Sequence, residues 1–108
     1  MSLEFDNLEN ITKQLWGAAN TRSLCSLKLE GENGYRMIHI HGIFMSKQRK
    51  FTIVCWQKSG FSGKGVSEGY KNLPLERCEN VLVLSKKFMK RRDFNPDDDQ
   101  YGEWLFHI

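Results

Sequence analysis

The sequence predicts a single α+β domain in which one N-terminal amphipathic helix packs on an antiparallel meander of four to five strands. Three observations predict it. The hydrophobic period is helical as far as Ala19 and becomes two from Cys25 onward. The later apolar runs are separated by short polar clusters at hairpin spacing. A chain of 108 residues with 40% apolar content can bury one ordinary core, so residues 1–108 are expected to form one domain.

Each element has its own justification. Leu8, Ile11 and Leu15, with Phe5 or Trp16 alongside, recur at helical spacing, Asp6 and Glu9 have the spacing of a capping box, and Gly17 and Asn20 supply a stop; the helix is expected over about Asn7 to Ala19. Cys25, Leu27 and Leu29 then alternate with Ser26, Lys28 and Glu30, as in a half-buried strand. Gly31-Glu32-Asn33-Gly34 has the chemistry of a hairpin turn, because an Asn-Gly pair tolerates positive φ. Tyr35 to Met45 and Phe51 to Gln57 are the next two strands, joined through the polar tip Ser46 to Lys50.

From Lys58 to Cys78 four glycines and few aliphatics describe a long loop, and a loop of this length in a small domain is expected to contain a turn of helix or a short strand. Asn80 to Ser85, with Val81, Leu82, Val83 and Leu84 consecutive, is expected as a fourth strand buried on both faces. Asn95-Pro96 blocks helix continuation, and Trp104, Leu105, Phe106 and Ile108 predict that the end of the chain docks back as a final strand.

Charge is sorted along the chain. Residues 1–32 carry three cations against five anions, 33–92 thirteen against three, and 93–108 none against five, so a net charge of +3 conceals a middle of +10. The positive block ends in Lys86-Lys87-Phe88-Met89-Lys90-Arg91-Arg92, and Asp93 and Asp97-Asp98-Asp99 follow at once. A polyanionic partner fits this arrangement, since lysine and arginine contacts to phosphate supply most sequence-independent affinity for nucleic acid, and aromatic rings beside them stack on unpaired bases. The candidate contacts are Lys47, Arg49 and Lys50 at the hairpin tip, Lys58 and Lys64 in the glycine-rich segment, and Lys86, Lys87, Lys90, Arg91 and Arg92, with Phe61, Tyr70 and Phe88 as stacking rings. An acidic protein surface would satisfy the same cations. The ordinary alternative is a solvated surface, or an acidic tail folded back to neutralise the basic run.

His39-Ile40-His41 places two imidazoles on one face of a strand, together with Tyr35, Met37 and Ile43 and opposite Arg36, Ile38, Ile40 and Phe44. Such a pair could cleave RNA without a metal, one ring taking the 2′-hydroxyl proton and the other protonating the leaving oxygen. No third ligand stands at a diagnostic spacing, so no metal and no cofactor are expected. Three widely spaced cysteines, Cys25, Cys55 and Cys78, fit reduced buried thiols. Trp56, Trp104 and Phe106 are candidate anchors for a protein partner where they are exposed, and a short chain without catalytic signatures fits an inhibitor or adaptor acting through them. No apolar run approaches the roughly 20 residues of a membrane span, and Glu4, Asp6 and Glu9 do not suit a signal peptide, so a cytoplasmic location away from membranes is expected. A homodimer through a strand edge is a further expectation, with the long second strand as its candidate. On balance the residues point to a non-enzymatic binding module.

Overall fold

A computed structural model describes residues 3–63 and 67–108, with side chains described from residue 8 onward. Among the described residues a helix, α1 (Leu3–Thr21), is followed by six strands: β1 (Ser23–Leu29), β2 (Arg36–Met45), β3 (Phe51–Gly60), β4 (Gly69–Pro74), β5 (Cys78–Lys87) and β6 (Glu103–His107). The α+β class is that predicted, with every strand pair antiparallel. The sheet order is β4-β3-β2-β1-β5, and β6 pairs with β2. β1 to β4 form the expected meander, whereas β5 lies beside β1 at the far edge, reached through a 3-10 turn at Leu75–Arg77.

The helix is longer than its sequence signals. It begins at Leu3, so Asp6 and Glu9 lie inside it and not at its cap, and it runs through Gly17 and Asn20 to Thr21. Termination falls on Arg22, whose φ of 55° is left-handed and whose N–H closes on the Ala19 carbonyl at 3.2 Å. Burial of one stripe carries the helix past the weak glycine stop: Ile11, Leu15, Ala18 and Ala19 are in the core. Against them pack Cys25, Leu27 and Leu29 of β1, Ile38, Ile40 and Ile43 of β2, and Ile53 and Cys55 of β3. Phe5, like Lys64, Gly65 and Val66, lies outside the described side chains.

The β1–β2 connection also departs from expectation. The left-handed residue is Gly31 (φ 84°), and neither Asn33 nor Gly34 has positive φ. The loop is shaped from outside by contacts no turn rule contains. Glu30 N–H donates to the Arg77 carbonyl at 2.7 Å, and Glu32 takes the Arg36 guanidinium bidentately, Nε to Oε1 at 3.0 Å and Nη2 to Oε2 at 2.6 Å. Arg36, though buried, is fully engaged: Nη1 donates to Gln57 Oε1 at 2.8 Å, and Gln57 Nε2 donates to the Phe61 carbonyl at 2.7 Å. This polar plug closes one end of the sheet.

A bulge in β2 decides what each face carries. Ile40 pairs with Cys55 and Gly42 with Val54, so His41 is an extra residue relative to β3. Beyond it the alternation reverses. Ile43 joins the helix-side core, and Phe44 turns to the other face, where it packs with Val54, Phe94, Tyr101 and Trp104; the strict period of two had placed these two residues the other way round. Gly42 lets β6 approach closely, since a Cβ there would stand 2.6 Å from both the Phe106 carbonyl oxygen and Trp104 Cζ3.

β5 is not buried on both faces. Only Cys78 and Val81 are buried, and Leu82 and Val83, which point to opposite faces, are 58% and 39% exposed because the strand sits at the rim. Four consecutive aliphatics therefore mark an edge and not a centre. β2, the longest-range strand in pairing, is central and has partners on both sides.

Candidate nucleic-acid interface

The chain leaving β5 runs as a strap, residues 88–94, before turning into β6, and it reaches His39 and His41 of β2 and Trp56 of β3. Two anchors hold it. Phe88 is buried and its ring stacks on His39 at 4.8 Å and against His41 at 5.8 Å. Arg91 lays its guanidinium over the Trp56 ring at 3.6 Å, a cation–π contact at stacking distance. Both histidines thus reach one ring, as their spacing predicts, while Phe88 itself is unavailable to a base.

His41 is wholly buried and fully bonded. The Arg91 backbone N–H donates to Nε2 at 3.1 Å. Nε2 must therefore carry the lone pair, which assigns the proton to Nδ1, from where it is donated to the His39 carbonyl at 2.9 Å. Burial holds its pKa below the usual histidine range. His39 is half-buried and also depressed, first by burial and then by the nearby charges of Lys58 and Arg91. Neither nitrogen of His41 is open to a substrate.

The strap carries its own counter-charge network. Asp93 Oδ1 accepts the Tyr70 hydroxyl at 2.6 Å and lies 3.5 Å from Arg91 Nε. The Tyr70 hydrogen bond is the main reason that the Asp93 carboxyl is held below its ordinary range, while burial and the neighbouring carboxylate push the Tyr70 phenol up to about 12. Glu68 Oε2 lies 3.4 Å from both Trp56 Nε1 and Lys58 Nζ.

The remaining predicted contacts divide. Lys86, Lys90 and Arg92 are exposed and form no ion pair among the described residues; Lys90 Nζ lies 5.9 Å from the Phe94 ring. Lys87 donates to Ser23 Oγ at 3.0 Å. Lys47, Arg49 and Lys50 sit at the β2–β3 tip, Arg49 with φ 62° and Lys50 paired with Glu76 at 3.2 Å. Eight residues of strand, roughly 26 Å, separate Lys50 from Lys58, so the hairpin tip is a separate patch from the strap. Lys64 lies outside the described residues. Phe61 is half-buried beneath Arg36, 5.6 Å from its guanidinium, and Tyr70 is 39% exposed beside Trp56.

The acidic tail does not cover the basic run. Beyond Asp93, Asp98 Oδ1 accepts the Gln100 N–H, Asn95 Oδ1 accepts the Asp97 N–H, and no ion pair among the described residues involves Asp97, Asp98 or Asp99. A cleft of about 290 Å³ between β4 and the tail is lined by Tyr70, Asn72, Asp93 and Asp98, a surface that repels phosphate.

Of the acidic tail that the sequence offered as a neutraliser, only Asp93 meets the basic run, at Arg91; sequence reasoning missed Glu68 beside Lys58, Trp56 as the platform for Arg91, and His41 as the acceptor that holds the strap. Trp104 and Phe106 are half-buried, Trp104 donating to the Pro96 carbonyl at 2.9 Å, while Trp16, 45% exposed, stacks on Phe106 at 5.4 Å. No group of three or more His, Cys, Asp or Glu among the described residues could hold a metal ion, and no helix there is long and apolar enough to cross a membrane. No protein-family model and no curated protein matches this chain.

Proposed function

We propose that this domain is a non-enzymatic binding module for single-stranded nucleic acid, contacted by the strap. The observation that carries this reading is that Lys90 and Arg92 project without carboxylate partners from a strap pinned to the sheet by Phe88 and Arg91, with Lys86 likewise unpaired among the described residues at the end of β5. Cations on a fixed backbone lose less freedom on binding than cations on a loose tail. Of the three predicted stacking rings, Phe88 is buried, Phe61 is half-buried, and Tyr70 borders the acidic cleft, so the reading rests on the cations and not on the rings. The two-histidine cleavage reading gains no support from a His41 with both nitrogens engaged.

Three phosphate contacts by Lys86, Lys90 and Arg92 predict a slope of log affinity on log salt of about −2 for a single strand, hence a loss of about 20-fold between 50 and 200 mM salt. Fluorescence anisotropy with a labelled oligonucleotide measures it. Replacing all three by Gln should flatten the slope, while replacing Lys47 and Arg49 should not. Affinity insensitive to salt, or equally reduced by both sets, refutes the strap as the contact; binding to an acidic protein and to no oligonucleotide refutes the nucleic-acid reading.

A further inference from the structure

We infer that the strap seats one nucleotide of a bound strand, with its base against Met89 and its phosphate on Lys90 and Arg92, an assignment that rests on the single-strand binding proposed above. Met89 is the most exposed large apolar side chain among the described residues, at 85%. A lone exposed apolar residue is ordinary on a solvated surface. What sets Met89 apart is how it is held there. The Phe88 N–H donates to the Arg22 carbonyl at 2.8 Å and the Arg91 N–H to His41 Nε2 at 3.1 Å, so the backbone is fixed on both sides of Met89 and Lys90. The Phe88 ring occupies the place over His39 and the Arg91 guanidinium the place over Trp56. The inward positions of the strap are therefore taken, and Met89 is kept outside.

Met89 also walls a shallow concavity of about 540 Å³, lined besides by Lys90, Arg91, Arg92 and Asp93. That volume falls within the roughly 300–1,000 Å³ of small-ligand sites. One soft apolar wall beside cations is the complement of a nucleotide, because a thioether gains from contact with an aromatic ring and lysine and arginine bond phosphate oxygens. Asp93 is the one anion of the lining. Its Oδ1 accepts the Tyr70 hydroxyl at 2.6 Å and lies 3.5 Å from Arg91 Nε, which balances its charge within the strap. An acidic peptide would satisfy Lys90 and Arg92, but its carboxylates give Met89 nothing to pack on.

Fluorescence anisotropy between about 50 and about 200 mM salt tests the assignment, comparing the native protein with Met89→Ala on a labelled oligonucleotide and on an abasic strand of the same length. Met89→Ala should weaken binding of the ordinary strand at least about fivefold at every salt concentration, with the salt slope unchanged, since an apolar contact releases no counterions. The abasic strand should bind both proteins equally. Urea unfolding of the variant should match that of the native chain, because Met89 is exposed. An ordinary strand bound equally by both proteins, or an equal loss with the abasic strand, overturns the base contact and leaves the cations of the strap as the site. If no strand binds, or only an acidic peptide does, the nucleic-acid reading itself falls and the nucleotide seat with it.

Discussion

Acid should loosen the strap through His41. Burial is the main cause of its depressed pKa, so the native state keeps the ring neutral while the unfolded chain takes up a proton below about 6.5. Because the unfolded state then binds more protons, stability rises with pH across this window and falls as pH drops through 6.5. The loss grows with the depression, and linkage limits it to about 2 kcal/mol for one proton over the one and a half pH units from 6.5 to 5. Protonation would also remove the acceptor for the Arg91 N–H, releasing the strap at the residue that covers Trp56. His41→Phe fills the space among Phe88, Phe94 and Tyr70 but leaves that N–H without its acceptor. It should destabilise by about 1–3 kcal/mol at pH 7.5. Urea unfolding at pH 7.5 and 5 measures both effects. The native protein should lose more stability between these pH values than the variant does, by up to about 2 kcal/mol. Equal losses would refute His41 as the neutral buried acceptor, as would an NMR assignment of the proton to Nε2.

Two further outcomes are expected. Gly42→Ala forces a Cβ against the Phe106 carbonyl and Trp104, so urea denaturation should report a loss of about 1–3 kcal/mol, accompanied by a shift in tryptophan emission as β6 is displaced; a loss below about 0.5 kcal/mol would show that β6 is not seated so closely. Burial pushes the thiols of Cys25 and Cys55 up to about 12 and that of Cys78 to about 11, so all three should resist a thiol-disulfide reagent at pH 8 in the native state and react together in denaturant, and prompt native reaction of any one would contradict its burial.

Much of the fold was legible along the chain. Helical spacing from Leu8 to Leu15 and alternation from Cys25 identify α1 and β1, and the polar tip Ser46 to Lys50 marks the β2–β3 hairpin. These are local patterns, in which each residue's environment follows from its neighbours a few positions away. The candidate site was half legible. Its cations could be named, but not which of them are free. Arg91 and Lys87 resemble Lys90 and Arg92 in sequence, yet the first is spent on Trp56, 35 positions earlier, and the second on Ser23, 64 positions earlier.

The bulge at His41 has no signal in composition or period, and it exchanges the faces of Ile43 and Phe44 and builds the second cluster under Tyr101 and Trp104. The aliphatic run of β5 is likewise ambiguous, because hydrophobicity records an affinity for burial and not whether a neighbouring strand or a partner supplies it. By itself, then, the sequence determined the element types, the antiparallel α+β class and the sorted charge. Only the tertiary structure decided that β5 is an edge, that Asp97 to Asp99 leave the basic strap uncovered, and that His41 is a structural acceptor. Those outcomes depend on contacts between distant segments, whose register is set by packing the whole core at once.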